Sequence, residues 1–186
     1  MSGRTLIAGI GNVFLGDDGF GVETLRALSG HPLPEGVEAV DFGVRGVHLA
    51  YQVLDGYDTL VLVDATARGG APGTLYLIDA GERDAPVVRG GAAGAGGAAL
   101  DGHDMSPDTV LALLDTLCAG TGSTPPRRTL VLGCQPACVE EGIGLSAPVA
   151  AAVPRAVRML LDLVQEEEAP GVDAHRPNCR ELRRTP

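Results

Sequence analysis

Residues 6–21 read LIAGIGNVFLGDDGFG, and they predict a strand, a glycine-rich loop and a helix, in that order. The apolar start is followed by a glycine-rich turn and then by an acidic pair, Asp17 and Asp18, set between glycines. In an open parallel sheet, ligands bind in the loops beyond the carboxyl ends of the strands. We therefore expect this loop and its two carboxylates to mark the functional edge of the molecule.

The rest of the chain continues the alternation of strands and helices. Apolar runs predict strands near residues 37–42, 59–64, 74–78 and 129–133, and amphipathic segments predict helices near 19–28, 47–54, 106–117 and 146–164. The run TLVLVD at 59–64 is the clearest strand, because its consecutive apolar residues fit a central parallel strand covered on both faces. The short turn before 74–78 favours an antiparallel or edge strand. The pattern predicts an α/β three-layer sandwich with a mostly parallel sheet.

The domain organisation follows from where this pattern stops. Residues 1–165 are predicted to form one α/β domain, and residues 166–186 a charged, Pro-bearing tail without stable structure. Residues 81–102 are predicted to be loop, with a mobile Gly/Ala-rich centre at 90–97. Pro154 is expected to kink or break the last helix.

Composition excludes several classes of function. The chain has 186 residues, 45% of them hydrophobic, and a net charge of −10, which argues against nucleic-acid binding. No apolar run approaches the ~20 residues of a membrane span, and the first residues are too short for a signal peptide. We therefore expect a globular cytoplasmic protein that engages neither membrane nor nucleic acid.

Polar side chains at the predicted strand ends suggest a metal site. Asp17 or Asp18 follows the first strand, Asp64 ends the third, and His103 lies in the loop before the third helix. Two carboxylates and an imidazole are a plausible ligand set for a divalent metal and leave coordination positions open. The spacing alone does not separate this site from ordinary surface residues.

Other chemistries fit less well. Cys134 and Cys138 have a C-x₃-C spacing that could hold a soft metal, but no further ligands are evident. GIGNVF lacks the third glycine of a dinucleotide-binding loop, although Asp41 at the end of the second strand keeps that alternative open. The chain has no phosphate-binding GxxxxGK[ST] loop, no HExxH motif and no GxSxG elbow.

Four motifs in order resemble the nickel–iron hydrogenase maturation endopeptidases. The first is GIGNVFLGDDGFG, the second LVLVDA followed by APGT, the third GHDM before a helix, and the last GCQPACVEEGIGLS before the final helix. The similarity covers roughly residues 5–165. The order and spacing of the four motifs together make the resemblance specific.

The resemblance implies a twisted five-stranded sheet between helices and a specific reaction. Such an enzyme removes a C-terminal extension from a hydrogenase large-subunit precursor after nickel insertion. The family's three metal-binding positions match Asp18, Asp64 and His103, which are also the expected catalytic residues. The first position is Glu or Asp across the family, and the preceding Asp17 is the less suitable ligand. Nickel would arrive with the substrate, other divalent metals could replace it, and we expect the enzyme to act as a monomer.

Two other functions remain open at this stage. One is a binding module that senses the nickel-loaded precursor without cutting it, and the other is a nucleotide-binding α/β protein. Residues 43–46 and the turn at Gln135 and Pro136 are expected to line the substrate cleft. The sequence does not separate metal recognition from metal catalysis.

Overall fold

The computed structural model describes residues 3–82 and 106–168 of the chain. Five strands and four helices are present in these ranges, as the sequence predicts. In chain order they are β1 (Thr5–Ile10), α1 (Phe20–Leu28), β2 (Val37–Gly43), α2 (Gly46–Val53), β3 (Thr59–Ala65), β4 (Leu75–Glu82), α3 (Pro107–Thr121), β5 (Arg128–Cys134) and α4 (Ala147–Glu168). A short 3-10 turn, Gly16–Gly19, precedes α1. The predicted mobile segment 90–97 lies outside the described residues.

The strands form one sheet in the order β2-β1-β3-β5-β4. The first four run parallel, and β4 pairs antiparallel with β5 at the edge. The predicted mostly parallel sheet and the predicted edge position of β4 are therefore confirmed. Because β1, β2, β3 and β5 run in the same direction, the loops after all four strands emerge at one edge, which we call the carboxyl edge.

Two apolar layers cover the two faces of the sheet. Alternate residues of the central strands point to opposite faces, so Val61 and Val63 of β3 pack with α1 and α4, whereas Leu60 and Leu62 pack with α2 and α3. All four of these β3 side chains are fully buried. The predicted α/β sandwich of three layers is confirmed, and its core is built from Leu, Val, Ile and Ala with few aromatic side chains.

Helix α1 packs very closely on the sheet at Gly21. A Cβ atom at Gly21 would lie 2.2 Å from the carbonyl oxygens of both Ile10 and Val63, which is closer than carbon and oxygen can approach. Only glycine therefore permits this contact. The contact fixes the start of α1, and with it the preceding 3-10 turn, against the ends of β1 and β3.

Several element boundaries differ from the sequence prediction, and one predicted helix break is absent. Strand β4 continues to Glu82, which pairs with Arg128, so residues 81 and 82 belong to the sheet and not to a loop. Helix α4 continues to Glu168, past the predicted domain end at 165, because a run of glutamates favours helix. The helix is continuous through Pro154, so the predicted break is absent. The third predicted helix does begin as expected, with Ser106 as its N-cap.

None of the helices in residues 3–82 and 106–168 is both long enough and apolar enough to cross a membrane.

Candidate active site

Asp18 is presented at the carboxyl edge by the turn between β1 and α1. Its Oδ2 accepts a hydrogen bond from the backbone N–H of Asn12 at 2.6 Å, and its own N–H donates to the carbonyl of Leu15 at 3.2 Å. Gly11, with φ +125°, makes the turn possible, because a Cβ there would lie 1.9 Å from the carbonyl oxygen of Asp18. The Asp18 side chain is thus half-buried and held in place by backbone groups.

Asp17, unlike Asp18, binds the loop between β5 and α4 and has a structural role. Its side chain is 1% exposed, and its carboxylate accepts bonds from the backbone N–H groups of Ala137, Cys138 and Ser146 and from the hydroxyl of Ser146. Burial alone would raise the pKa of Asp17, but these hydrogen bonds outweigh burial and lower it. The carboxylate therefore joins the 3-10 turn to the loop between β5 and α4.

Asp64 ends β3 at the same edge and is 5% exposed. Burial, reinforced by the charge of Asp18, raises the pKa of Asp64 to about 8, although the backbone N–H of Ala65 opposes this. Asp18 and Asp64 thus lie at the same edge of the sheet, and the negative charge of Asp18 disfavours ionisation of Asp64. No ion pair joins a described cationic side chain to either carboxylate. Such a pair favours a bound cation, because a cation offsets both burial and repulsion.

The third predicted ligand, His103, lies outside the described residues. Within residues 3–82 and 106–168, no group of three or more His, Cys, Asp or Glu side chains is arranged to hold a metal ion. The described part of the chain thus supplies two carboxylates of the predicted set. The complete ligand set remains a prediction.

The two cysteines of the C-x₃-C motif have different surroundings. Cys134 is fully buried and Cys138 is exposed, and both are free thiols. Burial raises the pKa of Cys134 to about 11, which opposes the thiolate form that binds soft metals and attacks carbonyl groups. The structure gives the soft-metal alternative no support.

Gln135 is a positioning residue whose role the sequence did not reveal. It is buried, and its Oε1 accepts hydrogen bonds from the backbone N–H groups of Arg68 at 2.7 Å and Gly70 at 3.3 Å. These two amides belong to the connection that follows Asp64. The GCQP motif marked the residue, but nothing in the motif shows which backbone groups the side chain binds.

A pocket of about 690 Å³ opens beside Asp64. Its walls come from the β3–β4 connection, including Arg68, from the neighbouring face of β4 and β5, and from the start of α3, including Asp108. Residues 43–46 and Gln135, which we expected to line a cleft, do not line this pocket. Gln135 instead accepts a hydrogen bond from the backbone of Arg68, a residue that lines the pocket.

Comparison with known proteins identifies the family. The family model HycI, described as hydrogenase maturation protease, matches residues 22–163. The hydrogenase 2 maturation protease of Escherichia coli (strain K12) is 34% identical over 175 residues, covering 92% of this chain and 94% of that protein. The hydrogenase expression/formation protein HoxM of Azotobacter vinelandii is 35% identical over 163 residues, covering 87% of this chain and 72% of that protein.

A solved structure agrees with these sequence relationships. The hydrogenase maturating endopeptidase HybD from E. coli superposes with a TM-score of 0.64 at 29% identity, covering 88% of this chain and 93% of the other. The range matched by the family model includes Asp64 and ends within α4. These matches favour a protease over a nucleotide-binding protein. The chain belongs to the hydrogenase maturation protease family.

Proposed function

We propose that this protease removes a C-terminal extension from the large-subunit precursor of a nickel–iron hydrogenase and recognises the precursor through its bound nickel. The observation that carries the proposal is the pair formed by Asp18 and Asp64. One of these carboxylates is almost fully buried, burial and the charge of the other raise its pKa, and neither has a cationic partner among the described residues. A divalent ion brought by the substrate would favour the ionised form of both carboxylates.

The ligand chemistry is compatible with nickel. Carboxylate oxygens from Asp18 and Asp64 and an imidazole nitrogen from His103 would complete a three-residue set, and imidazole is a common nickel ligand. Three protein ligands leave positions for the precursor's own ligands, so one ion could be shared between enzyme and substrate. In this proposal the nickel is part of the substrate and does not reside in the enzyme.

We propose that binding of the substrate's nickel by the enzyme orients the scissile peptide. If the nickel of the substrate is bound next to Asp64, the scissile peptide bond is held in a constant position. Such positioning alone can lower the activation barrier of hydrolysis substantially. A metal ion at this point can also polarise a carbonyl group or activate water. The pocket beside Asp64 offers a space for the extension that follows the scissile bond.

A covalent route is the less favoured one. The buried Cys134 has a raised pKa, and the hydroxyl of Ser146 donates to Asp17, which leaves neither group prepared as a nucleophile. We therefore propose direct attack by water. A net charge of −10 supports the proposal that nucleic acid takes no part. The monomeric state and the cytoplasmic location remain predictions.

The test is a cleavage assay on purified precursor with and without nickel. Wild-type enzyme should shorten only the nickel-loaded form, whereas Asp18→Asn, Asp64→Asn and His103→Ala should leave it uncut. Asp55→Asn is the matched control, because this exposed aspartate precedes β3 at the opposite edge of the sheet. Full cleavage by Asp64→Asn would contradict the site. Binding of loaded precursor without any cleavage by the wild-type enzyme would favour the non-catalytic binding module.

A further inference from the structure

Exposed apolar side chains concentrate around the candidate active site. Isolated exposed hydrophobic residues are common on any protein surface, but a cluster of them indicates an interaction site. Of the seven large hydrophobic residues exposed in the described part of the chain, two lie elsewhere, Tyr51 in the body of α2 and Leu77 in the edge strand β4. The other five lie in or directly after the loops at the carboxyl edge: Phe14, Val44, Val47, Val139 and Ile143. We call these five residues the apolar rim.

The rim shares its loops with the candidate metal ligands. Phe14, which is 64% exposed, lies in the same turn as Asp18. Val139 and Ile143, the latter 85% exposed, lie in the loop after β5 that Asp17 binds through its carboxylate. Val44 follows β2, the strand next to β1. The rim therefore shares its loops with Asp18 or with segments hydrogen-bonded to the Asp18 turn.

Backbone hydrogen bonds hold these loops together before any partner binds. The N–H of Gly142 donates to the carbonyl of Phe14, and the N–H of Gly16 donates to the carbonyl of Gly142, both at 2.9 Å. The N–H of Gly11 donates to the carbonyl of Gly43 at 3.1 Å, which ties the β2 loop to the β1 loop. The exposed side chains are therefore not needed to join the loops. They are presented on a surface that loses little conformational freedom on binding.

We propose that the apolar rim docks the folded body of the hydrogenase large-subunit precursor, so that recognition uses this surface as well as the metal ion. This inference rests on the proposed function. Its basis is that Phe14 shares the turn of Asp18 and that backbone hydrogen bonds tie the loops after β2 and β5 to that turn, so a folded substrate bound at Asp18 would lie beside the rim. Glu140 and Glu141 are exposed beside Val139, so the matching surface of the precursor is expected to be apolar with basic residues at its margin.

The rim is tested with the double variant Phe14→Ser/Ile143→Ser in the full chain. Truncating two central apolar contacts should raise KM for nickel-loaded precursor by about tenfold or more. It should leave kcat and the melting temperature nearly unchanged, because both side chains are mostly exposed. The matched control is Leu77→Ser, which removes a half-exposed apolar residue outside the rim, in strand β4, and should leave KM unchanged. An unchanged KM in the double variant would overturn the proposal.

Binding of metal-free precursor separates failure of the rim from failure of the proposed function. If wild-type enzyme does not cut loaded precursor, the proposed function fails, and the rim is judged by this binding alone. Weaker binding by the double variant than by Leu77→Ser supports the rim, whereas equal binding, or none by the wild type, overturns it. A change of the free enzyme from dimer to monomer in the double variant, measured by light scattering, would show that the rim binds a second copy of this chain and would also overturn the proposal.

Discussion

Ser146 donates two hydrogen bonds to the carboxylate of Asp17, 129 positions earlier in the chain: its backbone N–H reaches Oδ1 at 2.6 Å and its hydroxyl reaches Oδ2 at 2.9 Å. The pair connects the residue directly before α4 to the turn that carries Asp18. One buried carboxylate thereby positions two loops of the candidate active site, although it faces away from the proposed metal ion.

Replacing this carboxylate should destabilise the fold. In Asp17→Asn the amide nitrogen would face backbone N–H donors, so at least one buried donor loses its acceptor. We expect a loss of roughly 2–4 kcal/mol in the free energy of unfolding, which corresponds to a melting temperature lower by about 5–10 °C. Circular dichroism at pH 7 measures this. The control is Asp55→Asn, and an unchanged melting temperature with loss of all processing would instead place Asp17 in contact with substrate.

The Asp17 carboxylate should also make the stability of the protein depend on pH. Because the folded pKa of Asp17 lies below its ordinary value, its stabilising contribution is complete above that ordinary value, near 4, and is lost as the pH falls through the folded pKa. Urea unfolding measures the free energy of unfolding of wild type and of Asp17→Asn. The difference between these two free energies should become smaller below about pH 4. A difference that stays constant down to pH 2 would contradict the assignment.

Asp64 should have the opposite effect. Its pKa is raised from 3.8 to about 8, so the folded protein keeps a proton that the unfolded chain releases. The contribution of Asp64 to stability should therefore be greatest below its unfolded pKa and should fall as the pH rises toward 8. In Asp64→Asn this pH-dependent loss of stability is absent. Its free energy of unfolding should therefore exceed that of wild type at pH 8, by on the order of a few kcal/mol, whereas at pH 4 it should show no such gain.

Urea unfolding in the presence of a chelator measures the effect at both pH values, and the chelator prevents trace metal from neutralising the site. Asp55→Asn serves again as the control and should follow the wild type throughout. Parallel stability curves for wild type and Asp64→Asn across this range would show that Asp64 is ionised without cost in the folded protein.

Divalent nickel alone should stabilise the free enzyme. A ligand that binds only the folded state raises stability by RT ln(1 + [L]/Kd), so nickel at about a hundred times its Kd would add roughly 2.7 kcal/mol. The rise in melting temperature should be present in wild type, absent in Asp64→Asn, and larger at pH 8 than at pH 6, because the metal must displace the proton of Asp64. An equal rise in Asp64→Asn would place the nickel elsewhere.

Gln135 provides a test of how the connection after Asp64 is held. Gln135→Leu keeps the approximate volume but removes the acceptor for the N–H groups of Arg68 and Gly70, at a cost of roughly 1–3 kcal/mol. Hydrogen exchange at those two amides should become faster, while exchange in α1 stays the same. Gln165→Leu, at an exposed position on α4, is the control. Unchanged exchange at Arg68 would show that the connection is held by other contacts.

The sequence predicted the fold because the apolar runs are unambiguous. The run at 59–64 has no polar face, which only a central strand between two helical layers accommodates, and the structure places β3 in that position. The ends of β4 and α4 were predicted less well. Strand length depends on pairing with β5, and the end of α4 lies in a charged segment that looks like a tail but also favours helix.

The candidate site was predictable only in part. Asp64 and the pair Asp17 and Asp18 could be located because strand ends of a parallel sheet share one edge, and the motif resemblance then selected Asp18 from the pair. The different orientation of Asp17 could not be predicted, since its partners lie 120 to 129 positions away and a sequence does not show which backbone amides lack an acceptor. The same reason hid the role of Gln135. His103 was included because of its place in the loop before the third helix, and the motif resemblance agreed, but no described contact tests it.

The close contact at Gly21 limits how this site can be retuned, by evolution or by an engineer. Because no side chain fits between α1 and the carbonyl oxygens of Ile10 and Val63, the backbone beneath Asp18 cannot slide relative to the strand that ends in Asp64. The gap between the two carboxylates can then be adjusted only through side-chain length. A change from aspartate to glutamate at position 18 moves the oxygen atoms by one methylene while the main chain stays in place. The frame would thus remain constant, and a change at this single side chain would adapt the proposed metal site to ions of different size.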